Sequence, residues 1–205
     1  MRLKITQNIK EMFEADFSIY DGANQIGTAK VNGSIKSPES IVKINICGEK
    51  IKLSRSHSFR EKYTYRPYTI QINEVESGNV FQTEKRKSLF SSYGYQKAYV
   101  FSKEYYMYPI GFGDDGIKNP IYCFDKQIGL LLKSTEVYND LHHFELVVDS
   151  EDNIIPTLIM GFYIYVKAFF KPGEKASNSR KVLKAVTTEK ELLNKYNEEF
   201  EQLYG

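Results

Sequence analysis

The chain has 205 residues, is 41% hydrophobic and 26% charged, and carries a formal net charge of +2. A chain of this length can bury roughly 70% of the surface that its unfolded form exposes, so it can fold without disulfides or a metal. The nearly even charge balance argues against a dedicated nucleic-acid-binding protein, which would carry a concentrated basic excess. Cys47 and Cys123 are too few and too far apart for a disulfide framework or a zinc site. They suit a reducing compartment.

The first 150 residues consist of short stretches in which apolar and polar residues alternate, separated by turn residues. Alternation with a period of two is typical of strands that have one buried face. Gly48 predicts a tight hairpin, and Ser77-Gly78-Asn79 predicts a turn before the next strand. The pattern gives about eleven candidate strands. The clearest cover residues 13–20, 42–46, 51–54, 68–72, 80–84, 94–102, 104–111, 119–124, 127–133 and 141–149.

One segment after the strands, residues 154–170, is apolar on every side when it is drawn as a helix. Such a helix must be surrounded completely, by a membrane or by a closed sheet. Its uncharged run spans only residues 154–166, whereas a membrane-spanning helix needs about 20 residues. We therefore predict a mainly β fold, a closed antiparallel barrel around this central helix. Gly161 in mid-helix costs about 1 kcal/mol relative to alanine, which predicts close approach of the barrel wall there.

The C-terminal part of the chain differs from the rest in composition. Residues 174–180 are polar and are typical of a linker. Beyond them, Thr188 and Glu191 have the spacing of a capping box, and apolar residues recur at helical intervals over 189–203. The sequence thus predicts a barrel domain over residues 1–172 and a linker with a C-terminal amphipathic helix over 173–205. The apolar face of that helix would pack on the barrel or on a partner protein.

Three features of the sequence occur together in one known group of proteins. The opening strand ends in Asp21-Gly22 and is followed by Ile26-Gly27. The block 105–125, YYMYPIGFGDDGIKNPIYCFD, continues into Lys126-Gln127-Ile128, and the apolar helix directly follows the last strand and an Asp-Asn pair. In these features the chain resembles the tubby C-terminal-like superfamily, in particular small bacterial proteins of the LURP-one-related and phospholipid-scramblase-like branch. The resemblance covers roughly residues 8–171 and implies a twelve-stranded barrel threaded by a hydrophobic helix.

The clearest candidate for ligand contact is the basic cluster Lys85, Arg86 and Lys87, with Lys97 and Lys103 nearby in sequence. It predicts a patch for anionic lipid headgroups, although such patches usually hold 4–8 basic residues and a solvated strand end is the simpler interpretation. Residues 111–116 form a literal G-x-G-x-x-G, but a predicted strand follows in place of the required helix. We therefore expect no nucleotide cofactor.

The three histidines give no metal or catalytic site in the sequence. His142 and His143 are neighbours on a predicted strand, so their side chains point to opposite faces. His57 has no identifiable carboxylate or cysteine partner. With no catalytic constellation, the sequence favours a non-enzymatic binding or scaffold domain, cytoplasmic because its N-terminus lacks a secretory signal. The alternative is a peripheral membrane or phosphoinositide-binding protein; the ligand residues of tubby and of the scramblases do not map onto this chain.

Overall fold

A computed structural model describes residues 1–34, 40–55, 67–88 and 91–204 of the protein, and for Lys87, Ser88 and Ser91 it describes the backbone alone. His57 lies outside the described residues. The strands are β1 (Arg2–Lys10), β2 (Glu14–Asp21), β3 (Asn24–Asn32), β4 (Ile41–Ile46), β5 (Glu49–Arg55), β6 (Tyr68–Ile72), β7 (Val75–Ser88), β8 (Ser91–Val100), β9 (Lys103–Met107), β10 (Ile110–Gly111), β11 (Ile117–Cys123), β12 (Lys126–Lys133), β13 (Glu136–Tyr138), β14 (Phe144–Val148) and β15 (Arg180–Val182). The helices are α1 (Ile154–Ala168), α2 (Lys190–Leu193) and α3 (Glu198–Tyr204), and short 3-10 turns cover Gly113–Asp115 and Glu151–Asn153.

The main sheet closes on itself. Its strand order is β11-β12-β14-β1-β2-β3-β4-β5-β6-β7-β8-β9, and β9 pairs back with β11. This closing pair is antiparallel, like its neighbours, and sets Tyr106 opposite Tyr122. The predicted antiparallel barrel is thus confirmed, with twelve strands in the ring; β10 extends β11 at one edge, and β13 pairs only with β15. Closure leaves no exposed strand edge around the ring.

Helix α1 occupies the interior of the barrel. Every residue from 156 to 166 is buried, as the all-apolar pattern predicted. Phe17 on β2 packs edge-on against Phe162 and Tyr165, with ring centroids 5.2 and 4.8 Å apart, and Tyr68 on β6 contacts Tyr163 at 5.6 Å. Since the helix is enclosed by sheet on all sides, its lack of a polar face needs no lipid. Among the described residues, no helix has the length and apolarity that a membrane crossing requires.

The wall does not come unusually close to the helix at Gly161, where the sequence predicted close approach. A β-carbon added to Gly161 would lie 3.5 Å from the methyl groups of Leu131, which is an ordinary contact. The tight place is Gly129 on β12, where an added β-carbon would lie 2.7 Å from Cγ2 of Thr157. The glycine that the packing requires is therefore on the wall, and the prediction placed it on the wrong element.

Strands β1, β3, β13 and β15 are missing from the clearest strands of the pattern-based assignment, and one predicted turn is wrong. Strand β1 was not predicted, because only Leu3 and Ile5 mark its buried face before the buried polar residue Gln7. The turn predicted at Ser77-Gly78-Asn79 is wrong, since these residues lie inside β7 and the turn before it is at Asn73-Glu74. Gly78 has a φ of 148°, and a β-carbon there would lie 1.7 Å from the carbonyl oxygen of Tyr99. The pairing of β7 with β6 shifts register at this point, because Ile70 is opposite Gly78 and Gln71 is opposite Glu76. An isolated glycine inside a strand often marks such a β-bulge.

The C-terminal segment packs along the outside of the barrel. β15 pairs with β13, and Val186 forms an isolated bridge with Phe112. The predicted C-terminal helix is confirmed in two short pieces, α2 and α3, and the residue that caps α2 is Glu189 rather than Thr188. Leu192 of α2 and Phe200 of α3 are both 5% exposed. The barrel therefore covers Leu192 and Phe200 of the predicted apolar face, whereas Leu203 of the same face is 74% exposed.

Candidate ligand-binding surface

The predicted basic cluster lies near the end of β7. Lys85 and Arg86 are exposed there, and Lys87 follows in the same strand. The Lys85 ammonium group pairs with the carboxylate of Glu191 in α2, and the Tyr93 hydroxyl donates a hydrogen bond to the same carboxylate oxygen at 3.0 Å. One charge of the cluster thus binds the C-terminal segment, which reduces the positive field available to an anionic headgroup.

The two lysines that are near this cluster in sequence do not join it. Lys97 faces outward on β8 and pairs with Glu104 at 2.7 Å. Lys103 is opposite Val100, whereas Lys85 is opposite Tyr93, seven residues earlier on β8. Seven residues of strand span about 23 Å. Neither Lys97 nor Lys103 therefore adds to the basic patch at residues 85–87.

The interior of the barrel offers little room for a ligand. The void beside Gly161 has a volume of about 10 Å³ and is lined by Ile5, Leu131, Phe144, Phe162 and Tyr165. This is about the minimum that one water molecule needs. A ligand larger than a water molecule in this void, among the residues that the structure describes, would have to displace side chains of α1.

The outer face of β8, β9 and β11 carries a row of aromatic residues. Each of three segments supplies a pair at alternate positions, and the pairs are Tyr93 and Tyr95, Tyr106 and Tyr108, and Tyr122 and Phe124. Residues that alternate with core residues in a strand share the outer face, which places the strand residues Tyr93, Tyr95, Tyr106 and Tyr122 there, and Tyr108 and Phe124 directly follow β9 and β11. Part of this row lines a groove of about 370 Å³, which we call the tyrosine groove; it is formed by Tyr106, Tyr108, Tyr122, Phe124, Asp125 and Lys195.

The rings of the tyrosine groove are held by contacts with one another and with the C-terminal segment. Tyr108 stacks on Tyr95, with centroids 5.6 Å apart and planes 29° apart, and meets Tyr122 edge-on at 6.0 Å. The Tyr122 hydroxyl donates to the backbone carbonyl of Lys195 at 2.8 Å. Burial raises the pKa of Tyr108 to about 12, and the neighbouring tyrosines add to the effect. The hydroxyl of Tyr108 is therefore neutral at physiological pH.

Two charged residues, Lys195 and Asp125, line the tyrosine groove. The Lys195 ammonium is 5.2 Å from the centroid of Tyr108 and 5.8 Å from that of Tyr122, both within cation–π range. The face of Tyr106 is already covered by Lys97, whose ammonium is 5.4 Å from that centroid. Asp125 is exposed and forms no ion pair with the part of the chain that the structure describes. The groove thus combines aromatic faces with a carboxylate that has no cation of its own.

Phe124 places an exposed aromatic ring at the edge of the same groove. It lies in the two-residue turn between β11 and β12, and its side chain is 67% exposed. Its φ is 54°, in the left-handed region that bulky residues rarely adopt. Phe101 in the two-residue turn between β8 and β9 has a similar φ of 52°, so this conformation is a feature of the tight turns rather than of the groove alone.

The two adjacent histidines are on opposite faces, as predicted. His142 is buried with its ring 4.8 Å from that of Phe169, whereas His143 is exposed. Burial lowers the pKa of His142 to about 3, with further lowering from the charges of Lys133 and Lys10 and an opposing effect of Asp140. The described residues contain no group of three or more His, Cys, Asp or Glu that could hold a metal ion.

The first two glycines of the G-x-G-x-x-G stretch pack against the C-terminal segment, and Gly116 packs against the Lys133 carbonyl of β12. A β-carbon on Gly111 would lie 2.4 Å from the carbonyl carbon of Ala185. The Gly111 N–H donates to Oγ1 of Thr187 at 2.9 Å, and the Thr187 N–H donates back to the Gly111 carbonyl at 2.9 Å. A 3-10 turn and then β11 follow, so the phosphate-binding helix of a dinucleotide site is absent from this described stretch.

The chain was compared with protein-family models, curated proteins and solved structures. No family model, curated protein or solved structure matches the chain. The architecture implied by the resemblance to the tubby C-terminal-like superfamily is the one observed, but membership of that superfamily stays a prediction. The sequence interpretation missed the tyrosine groove, although the pairs at alternate positions on three strands were a usable signal.

Proposed function

We propose that the chain is a non-enzymatic binding or scaffold domain that recognises its ligand on the outer face of the barrel, at the tyrosine groove. The observation that carries the proposal is the position of α1, whose residues 156–166 are all buried inside the ring. Barrels that hold small ligands do so in an open interior. Here the side chains of the helix occupy that space, so the surface is the place for recognition.

The tyrosine groove is the surface best suited to this role. It is concave, mostly aromatic and supplied with a few charged groups, which is the usual composition of ligand sites. Tyrosine gives a large contact area at low cost in conformational entropy. Tyr108 and Tyr122 are also fixed by neighbouring rings and by the C-terminal segment, so a ligand would meet a preformed surface.

The alternative function, peripheral binding to anionic lipid through Lys85, Arg86 and Lys87, has weaker support. The cluster is on one projecting strand end, and Lys85 already contacts the Glu191 carboxylate. Surface attraction to an anionic leaflet is about 1 kcal/mol for each basic residue, so three residues would hold the protein only weakly. The vesicle experiment described in the Discussion separates this function from the first.

Nuclear magnetic resonance with labelled tyrosine rings and labelled isoleucine and leucine methyl groups tests the proposal. The protein would be titrated with a panel of small neutral, anionic and cationic fragments, together with palmitate. We expect at least one fragment to shift the rings of Tyr108 and Tyr122 saturably, and none to shift the methyl groups of Leu158 and Ile159 in α1. Phe124→Ala should weaken the ring shifts without altering the fold, because this side chain is exposed. Saturable shifts confined to the α1 methyl groups, or no saturable shift at the groove, would overturn the proposal.

A further inference from the structure

Lys195 contacts the tyrosine groove as a ligand would. Its ammonium group faces the rings of Tyr108 and Tyr122, and it forms no ion pair with a carboxylate among the described residues. An exposed lysine with no such partner normally extends into water, where its charge is best solvated. The aromatic faces are thus what holds this ammonium in place.

Two residues of the groove, Asp125 and Phe124, are placed to contact a further cation. Asp125 lines the groove but does not pair with Lys195, and the ring of Phe124 is largely exposed at its edge. A cation bound between Phe124 and Asp125 would gain both an aromatic face and a carboxylate. Quaternary and methylated ammonium groups are recognised in proteins by such sets of aromatic faces.

We propose that the tyrosine groove binds an alkylammonium group, such as a lysine side chain of a partner protein, and that Lys195 is its internal competitor. This inference rests on the function proposed above and specifies the ligand class of the same site. The charge of Asp125 and the ring faces select a cation, and the open groove of about 370 Å³ accommodates the aliphatic stem that carries it.

Binding needs only the Lys195 side chain to move. The C-terminal segment is anchored on both sides of it by the buried residues Leu192 and Phe200. Tyr196 also contacts Lys118, whose ammonium donates to its hydroxyl at 2.8 Å. The backbone can therefore stay docked while the flexible stem of Lys195 leaves the rings. An exposed cation–π contact corresponds to a factor of about 2 to 5 in affinity, which an incoming cation can overcome.

The test uses three forms of one small probe. These are Nα-acetyl-lysine methylamide, its trimethylammonium derivative, and the uncharged carbon isostere in which a tert-butyl group replaces the trimethylammonium group. Each would be titrated into the full-length protein while the labelled tyrosine rings are observed. We expect both cations to shift the rings of Tyr108 and Tyr122 saturably, and the isostere to bind at least fivefold more weakly.

Variants show whether the groove residues act as proposed. Lys195→Met keeps the apolar stem and removes the charge, so it should strengthen binding of the trimethylammonium probe by a factor of about 2 to 5. Asp125→Asn and Phe124→Ala should each weaken it by at least twofold, and both residues are exposed, so folding is preserved. The matched control is Tyr138→Leu. Tyr138 is a different exposed tyrosine, with a cation–π contact to Arg180 at 5.8 Å, and its replacement should leave the affinity for the trimethylammonium probe unchanged.

Two results would overturn the inference while leaving the proposed function intact. One is equal binding of the isostere and the cation at the groove, which would show that apolar contact alone drives binding. The other is an unchanged or lower affinity in Lys195→Met. If the fragment panel also gives no saturable shift at the groove rings, the proposed function itself is wrong.

Discussion

Gly129 on β12 faces Thr157 on α1 across a gap between wall and helix that has no room for a larger side chain. A β-carbon at Gly129 would lie 2.7 Å from Cγ2 of Thr157 and 3.4 Å from the carbonyl oxygen of Val147. The Thr157 side chain cannot rotate away easily, because its hydroxyl donates to the carbonyl groups of Asn153 at 2.6 Å and Ile154 at 2.9 Å. β-branched side chains also have restricted rotamers in helices.

The first prediction follows from this contact. Gly129→Ala should lower the free energy of unfolding by about 1–3 kcal/mol, because the wall and helix must separate to admit the methyl group. Urea unfolding would measure the change. The matched control is Gly161→Ala in the facing helix, where a β-carbon meets only ordinary contacts at 3.5 Å. That variant should gain up to about 1 kcal/mol from helix propensity. Equal effects of the two alanines would contradict the packing described.

A larger substitution at Gly161 tests the enclosure of the helix. Gly161→Leu should destabilise the protein by about 1–3 kcal/mol, because a leucine side chain far exceeds the void of about 10 Å³ beside this residue. On an exposed helix the same change would be neutral or stabilising, since leucine favours helix more than glycine does. Thermal melts decide between these cases. An unchanged or higher midpoint would mean that the helix is not enclosed.

Gly111 should control the docking of the C-terminal segment. Gly111→Ala places a methyl group 2.4 Å from the Ala185 backbone, which should displace residues 185–187 and break both hydrogen bonds to Thr187. We expect faster amide hydrogen exchange in this segment and unchanged exchange in α1. Val186→Ala is the control, because this side chain is 73% exposed. Unchanged exchange at residues 185–187 in the glycine variant would show that the segment is not held there.

The burial of His142 should make stability depend on pH. The pKa of its ring is lowered from 6.5 to about 3 in the folded protein, so between these pH values the unfolded chain binds a proton that the folded protein does not. The free energy of unfolding should therefore fall as the pH decreases through this window, by roughly 3 to 5 kcal/mol from this residue. Above pH 6.5 the effect is absent.

Urea unfolding at several pH values would measure this dependence. His142→Phe should have a flatter profile than the wild type between pH 6.5 and about 3, whereas substitution of the exposed His143 by glutamine should keep most of the slope. The difference between profiles is the informative quantity, because carboxyl groups titrate in the same range. Parallel profiles for wild type and His142→Phe would show that the imidazole is not buried in its neutral form.

The fifth prediction concerns Lys85, Arg86 and Lys87. Their joint replacement by alanine should leave the barrel folded, because Lys85 and Arg86 are exposed and the contact of Lys85 with Glu191 is a surface ion pair of at most about 1 kcal/mol. If the protein acts through the tyrosine groove, neither form should float with phosphatidylserine-containing vesicles. Flotation of the wild type that is lost in the triple variant, but kept in Glu191→Gln, would instead establish the lipid-binding alternative.

The sequence by itself determined the barrel and its central helix. Alternation in stretches such as Val42, Ile44 and Ile46 requires one buried face, and many such strands can bury that face only by closing or stacking. The all-apolar pattern of residues 154–166 likewise admits few surroundings. Both signals are local, because they depend on the periods of strand and helix rather than on which elements meet.

Only the tertiary structure decided where the proposed binding surface lies. The sequence shows that Tyr106 and Tyr122 are strand residues, but the pairing of β9 with β11 that sets them side by side is a matter of closure and register. Lys195 reaches the same groove from 73 residues beyond Tyr122, after a chain reversal that no local pattern encodes. The close contact of Gly129 with Thr157 has the same origin, because the rotation of α1 within the barrel depends on the packing of the whole wall.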